Sequence, residues 1–442
     1  MKKTYSKPII TKLDFTMASK YGGSFFKQRI RESIDDVSVN KLVKKFGSPL
    51  FVFSQQQIEK KYRTLHEAFS SRYPKVKFSW SYKTNYLNQI CKVFHDLGSS
   101  AEVVSEFEYQ KARNLGISGK DIIFNGPYKP KKDLRIAVQE GAKIHIDNLF
   151  ELNDLEQIAD ELQIKIPVAI RLNMDTGIYP QWSKFGFNYE SGDALNAVAR
   201  IHKNNKLFLT GLHTHIGTFI LDANAYKLAT TKLMQFKYEV EQKFSNEIKY
   251  IDIGGGFASK SNLKGIYQSP DVIVPTADDY ACAIVNTIYE QNRSQDLPEL
   301  YLETGRHLID GAGYLLTSIC NWKRLPDGRK AYTLDAGINN LYTSTWYNFN
   351  IETDKDYGEI TEPSVLNGPL CMNIDVIEEN IMLPPLDRNS VLSISPIGAY
   401  NYTQSMQFIR YKPAVVLIDN DGKAKLIKKV DNLETVNFRE VP

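Results

Sequence analysis

From residue 76 onward, short β-rich runs alternate with longer segments whose apolar residues recur at helical spacing. The runs are 76–82, 101–104, 121–124, 142–146, 167–172, 208–213, 249–253 and 299–303, each bounded by polar or glycine signals. Between them lie segments such as FEYQKARNLG (107–116) and LFELNDLEQIADEL (149–162), which carry the helical period. Eight strand-helix units predict a (β/α)₈ barrel. A doubly wound open sheet shares the rhythm and is the competing arrangement; the count favours the barrel.

After about residue 312 the pattern changes. AGYLLTSICNWKRL, KAYTLDAGI, SVLSISPIGAY and KPAVVLIDNDGKAKLI are β-rich pieces joined by turn signals such as PDG and NDG, which predict an all-β second domain. The run SPLFVFS (48–54) precedes the first barrel helix and can supply that domain with one more strand. The expected organisation is a polar extension over 1–34 with a flexible joint at Gly22-Gly23-Ser24, then a leading segment over 35–54 that contributes to the β domain. The barrel follows over 55–311 and a β-sandwich over 312–442.

Composition narrows the classes of function. The chain has 442 residues, 55 Lys and Arg against 51 Asp and Glu, and a net charge of +4, with 42% hydrophobic and 24% charged residues. These values carry neither a disordered nor a polyanion-binding signature, so no nucleic-acid partner is expected. Four cysteines (Cys91, Cys282, Cys320, Cys371) lie far apart without Cys-x-x-Cys spacing, which argues against zinc and disulfides and for a reducing, cytoplasmic compartment. Pro8, Lys12 and Asp14 interrupt the amino terminus before a signal-peptide core can form. No run approaches the roughly 18 apolar residues that would span a bilayer, so no membrane association is expected.

Barrel enzymes place their reactive groups at the carboxyl ends of the strands, and here those ends are rich in candidates. The first run ends in SYKTN with Lys83. The sixth ends in HTHIGT with His213, His215 and Thr218, the seventh in Gly254-Gly255-Gly256, and the eighth in Glu303-Thr304-Gly305-Arg306. A triple glycine lets backbone N–H groups approach an anion, and Arg306 in the next loop adds a fork of donors, so a phosphorylated ligand is implied. A lysine beside a phosphate site is suited to a Schiff base with pyridoxal 5'-phosphate, given an environment that lowers its pKa. Glu303 can pair with the protonated pyridine nitrogen. His213 and His215 alternate on one side of their strand, a spacing that also suits metal ligands, although no carboxylate stands at second-ligand spacing and no metal is expected.

Taken in order, these motifs and their neighbours resemble the fold-type III pyridoxal-phosphate decarboxylases, the diaminopimelate/ornithine/arginine decarboxylase family, from about 37 to about 435. Further matching pieces are SSAEVVSEFEYQKA, IIFNGPYKPKKDL, RLNMD with SKFGF, LDAGINNL, NGPLCMNID and SPIGAYNYTQSM. The resemblance implies an alanine-racemase-like barrel with a carboxy-terminal β-sandwich, in a head-to-tail homodimer with shared active sites. It implies release of CO₂ from an α-amino acid held through a Lys83 imine, with His215 stacked on the ring and Glu303 on its nitrogen. Thr218, Gly254, Gly255, Gly256, Gly305, Arg306 and Tyr400 are implied as phosphate or substrate contacts. Cys371 corresponds to the proton donor that the partner subunit supplies, with Asp375 nearby. A racemase on the same barrel and a non-catalytic regulatory homologue are the alternatives.

Two departures bear on the substrate. Diaminopimelate decarboxylases follow this cysteine with Glu and carry Arg after DAG-x-N, where this chain has Met372 and Thr343. A different substrate tail follows from that loss of charge. Thr218 replaces the family's Ser, and Glu106-Phe107 replaces a glycine pair.

Overall fold

The computed structural model describes residues 29–358 and 360–441. All eight expected runs are strands: Val76–Ser81, Ser100–Val103, Ile122–Phe124, Lys143–Ile146, Ile166–Asn173, Leu207–Thr214, Tyr250–Asp252 and Glu299–Thr304. Each pairs in parallel with the next, and the last pairs with the first through Leu300↔Val76 to Thr304↔Trp80. That closing ladder decides for the barrel over the open sheet. The boundaries differ from expectation by a residue or two. The first run stops at Ser81 because Tyr82–Thr84 tightens into a 3₁₀ turn.

The helices form where the pattern places them. In Gln55–Ser70, Ile58, Tyr62, Leu65 and Phe69 recur at helical spacing and are buried, and the Ser54 hydroxyl caps the first turn by accepting the Gln57 N–H at 3.0 Å. Glu106–Asn114 starts on Ser105, whose hydroxyl accepts from the Glu108 N–H, with Glu106 and Glu108 in the positive first turn. The sequence Glu106-Phe107 therefore suits a helix start. Phe107 packs edge-on against Tyr86, centroids 5.0 Å apart.

The second domain is two sheets sharing one long strand, Gly313–Arg324. Its first half pairs with Leu50–Ser54 and Val391–Ser395, and its second half with Lys330–Leu334. Leu50–Ser54, the segment ahead of the barrel, also pairs in parallel with Ala414–Ile418. Leu315, Ile319, Tyr332, Leu366, Leu392 and Ile394 are buried among these strands. Residues 29–34 depart from the expected extension: Arg31 forms a two-point ion pair with Glu352 (2.9 and 3.0 Å), and Ser33–Ile34 pairs with Val37–Ser38. The Gly22-Gly23-Ser24 joint lies outside the described residues. No helix among the described residues is long and apolar enough to cross a membrane.

The β domain reaches the barrel mouth through the loop after Val391–Ser395. The Tyr400 N–H donates to the Thr84 carbonyl at 2.9 Å, and the Thr403 hydroxyl to the Lys83 carbonyl at 3.0 Å. The turn carrying Lys83 is thus gripped from both domains.

Candidate active site

A cavity of about 380 Å³ opens at the carboxyl ends of the barrel strands. Lys83 enters it from the 3₁₀ turn that ends the first strand, and its Nζ donates to both oxygens of Glu102, at 2.6 Å to Oε1. Glu102 sits in the second strand between Ala101 and Val103 and is fully buried. Sequence reasoning passed over it, yet an acidic residue alternating with two apolar ones in a buried strand already marks it as facing inward. The pair corrects one expectation. Burial alone would depress the Lys83 ammonium, but Glu102 together with Glu303 and Tyr400 outweighs it and holds the pKa above the ordinary lysine value.

Glu303, at the end of the eighth strand, is 3% exposed and accepts a hydrogen bond from the Asn125 amide. Burial, reinforced by Asp252 and Glu102, pushes its carboxyl well above the usual range against the pull of Lys83 and Arg171. Such a carboxyl keeps its proton until a basic partner takes it. His215 lines the cavity with Trp182 beside it, ring centroids 5.6 Å apart. Burial and the nearby Arg171 and Lys83 hold its imidazole well below the ordinary value, hence neutral.

The glycine run is packed backbone against backbone. Gly254 and Gly256 have φ of +69° and +92°, and a Cβ on Gly255 would lie 2.1 Å from the Glu303 carbonyl oxygen. The Gly254 N–H is held by the Asp252 carboxylate at 2.8 Å, so Gly254 sits beneath the wall while Gly255 and Gly256 line it. Thr218, Gly305, Arg306 and Tyr400 line the same region. Arg306 is 7% exposed, donates to the Tyr347 hydroxyl, and lies 4.7 Å from the Tyr400 ring centroid. Bare backbone, a hydroxyl and a buried guanidinium at one end, with an amine and a protonated carboxyl beyond, fit a phosphorylated aldehyde carrying a basic ring nitrogen.

Besides Gly254, four expected residues lie outside this cavity. Cys371 and Met372 are exposed. Thr343 is fully buried, with its N–H and hydroxyl both spent on the Asn401 side-chain oxygen (2.9 and 3.1 Å), so its neighbours Tyr342 and Trp346 form the wall instead. Asp375 is 2% exposed, and its carboxylate accepts the backbone N–H groups of Ile338 and Leu370, both at 2.8 Å. It fastens the Cys371 loop to the DAGIN segment and has no lone substrate-facing oxygen. Neither the Thr343 nor the Asp375 side chain lines the cavity of its own chain. Asn125, Arg171, Trp182 and Phe185 line the cavity and were missed, although Asn125, Arg171 and Phe185 fall within motifs quoted above and Trp182 immediately precedes one. His213 lies apart from His215 in the cavity: its Nε2 is 3.4 Å from Glu303, and its ring centroid is 4.7 Å from that of His145. Ligand atoms of His145, His213 and Glu303 fall within 4.8 Å of one another, a grouping strand spacing alone does not reveal.

An anion cradle and an amine in one barrel mouth define a pyridoxal-phosphate enzyme of the alanine-racemase-type fold. The comparisons carry this further. Residues 55–310 match the family described as pyridoxal-dependent decarboxylase, pyridoxal binding domain. The diaminopimelate decarboxylase of Methanocaldococcus jannaschii is 30% identical over 410 residues, covering 88% of this chain and 90% of that one. That of Aquifex aeolicus is 30% identical over 421 residues, covering 91% and 94%. The solved structure of the M. jannaschii enzyme in complex with L-lysine superposes with a TM-score of 0.85 at 29% identity, covering 93% of this chain and 96% of that one. The chain belongs to the pyridoxal-dependent decarboxylase family, and it is a pyridoxal-phosphate-dependent carboxy-lyase.

Proposed function

We propose that this enzyme decarboxylates an α-amino acid whose side chain ends without a charge, at a site completed by a second copy of the chain. The observation that carries the reading is the charge inventory of the cavity. Lys83 is paired with Glu102 and Arg171 lies 3.7 Å from Asp147, Glu303 stays protonated beside the Asn125 amide, and Arg306, which has no carboxylate partner among the described residues, stands at the phosphate end. Where the family's diaminopimelate enzymes place Arg and Glu, this chain has Thr343, turned onto Asn401, and Met372. A charged tail buried beside them would lack a counter-ion and lose several kcal/mol, about 2 to 5 for an unpaired buried charge.

Pyridoxal phosphate, when bound, supplies a ring that accepts the electron pair left as CO₂ departs. The chain's own groups do the rest. Lys83 offers its amine to hold the cofactor, and Glu102 is placed to take the ammonium proton at Oε1 or Oε2. Glu303, whose carboxyl is held well above the usual range, would supply a proton to the ring nitrogen, and the neutral His215 imidazole would pack against the ring. The backbone of Gly255 and Gly256, shaped by Gly254 beneath them, would receive the phosphate together with Thr218, Gly305, Arg306 and Tyr400. Cys371 is exposed and absent from its own chain's cavity, which agrees with a thiol delivered to the neighbouring subunit in a head-to-tail dimer as the donor that returns a proton to carbon. The test is borohydride reduction of the holoenzyme followed by peptide mapping. The cofactor fixed on Lys83 supports the assignment; its recovery on another lysine overturns it.

A further inference from the structure

The cavity's guanidinium is held by a device that no motif announces. Asp310 is fully buried four residues beyond Arg306, and its Oδ2 accepts three hydroxyl hydrogen bonds: Ser259 at 2.6 Å, Ser261 at 2.9 Å and Tyr347 at 2.7 Å. Its Oδ1 accepts the Ala399 N–H at 3.3 Å. The donors come from the loop after the seventh strand and from two β-domain segments, so the carboxylate sits where barrel and β domain meet.

Because Tyr347 spends its proton on Asp310, its remaining lone pair faces Arg306 Nη1 and accepts from it. The guanidinium is therefore oriented through a neutral phenol. Among the described residues no carboxylate pairs with it directly, and its Nε is buried without a partner. The Phe219, Tyr347 and Tyr400 rings surround it at 4.7 to 5.7 Å from their centroids. A direct carboxylate partner would quench this cation. A carboxylate one hydroxyl away aims it and leaves its charge available to a ligand.

We propose that Asp310 is a positioning residue which, through Tyr347, aims Arg306 at an oxyanion in the cavity. The inference rests on Arg306 being an anion contact. Two oxyanions are available there, the cofactor phosphate and a carboxylate on the substrate, and the experiment separates them.

In wild type, Asp310→Asn, Tyr347→Phe and Arg306→Gln, apoenzyme is titrated with pyridoxal 5'-phosphate and with pyridoxal, which lacks the phosphate. KM is also compared for an amino acid with a distal carboxylate and for its amide. Tyr347→Phe keeps the ring and removes only the hydroxyl, so it tests the relay even where Asp310→Asn fails to fold. A roughly tenfold loss of affinity for pyridoxal 5'-phosphate with pyridoxal unchanged supports the proposal with phosphate as the anion. A comparable rise in KM for the carboxylate but not the amide supports it with substrate as the anion. If Arg306→Gln alters either ratio while Asp310→Asn and Tyr347→Phe alter neither, the relay is overturned. If Arg306→Gln alters neither ratio, the underlying assignment of Arg306 has failed instead.

Discussion

At the barrel end of the cavity, Lys83, Glu102 and Glu303 hang from strands whose ladders close on themselves, and each has a partner contributed by another strand or strand end. At the β-domain end, Tyr342, Trp346, Tyr400 and Gln404 arrive on loops, and Cys371 and Met372 sit on a loop that Asp375 fastens to the DAGIN segment. Moving a barrel residue would break a ladder and orphan a buried charge. Changing a loop residue alters only what the wall touches. The difference explains how a chain can keep the cofactor chemistry of its family while the groups facing the substrate tail change.

The comparison can be broken first at Lys83. Lys83→Ala should lower turnover by roughly 10⁴-fold, the upper end for one positioned catalytic group, and abolish borohydride-fixed cofactor; retained activity above a hundredth of wild type would contradict it. Cys371→Ala, on the loop side, should cost roughly 10²-fold in kcat with cofactor binding unchanged. Mixing inactive Lys83→Ala with Cys371→Ala subunits should then restore activity through heterodimers with one intact site. No recovery despite demonstrated subunit exchange would mean that Cys371 serves its own chain or none.

Glu102→Gln sharpens the barrel side through pH. Glu102 is the largest influence raising Lys83, while burial lowers it, so removing the carboxylate lets the ammonium lose its proton at lower pH. The pH profile for cofactor capture by apoenzyme should move down by roughly 1 to 3 units, as expected on losing a close opposite charge. An unmoved or upward-shifted profile would remove Glu102 from the chemistry. The smallest effect belongs to Asp375→Ala, which orphans the Ile338 and Leu370 N–H groups and should destabilise by about 1 to 3 kcal/mol in thermal or denaturant unfolding. Cofactor affinity should stay at the wild-type value, since Asp375 joins the Cys371 loop to the DAGIN segment and does not line the cavity.

What was legible in the sequence follows the same division. The barrel came through because parallel strands buried on both faces read as compact apolar runs, and their carboxyl ends fix where to look for chemistry. Lys83, His215, Glu303 and the glycine run are strand-end residues, and they share the cavity or its floor. Glu102 was passed over because it lies mid-strand, away from the strand ends where chemistry was sought. The partners of Thr343 and Asp375 were not legible, because alignment to a motif gives position along a loop and not the direction of a side chain. Only Asn401 and the two N–H groups that hold them decide that direction.

The loop end can be tested directly by measuring kcat/KM for meso-diaminopimelate, lysine, ornithine, arginine and neutral-tailed amino acids in one holoenzyme preparation. The account predicts that a neutral-tailed amino acid has the highest value and that diaminopimelate is poor, because Met372 and the buried Thr343 offer no counter-charge for its distal end. Diaminopimelate emerging as the best substrate would contradict it, and would show that a charged tail finds its partner in Arg306 or another group of the cavity.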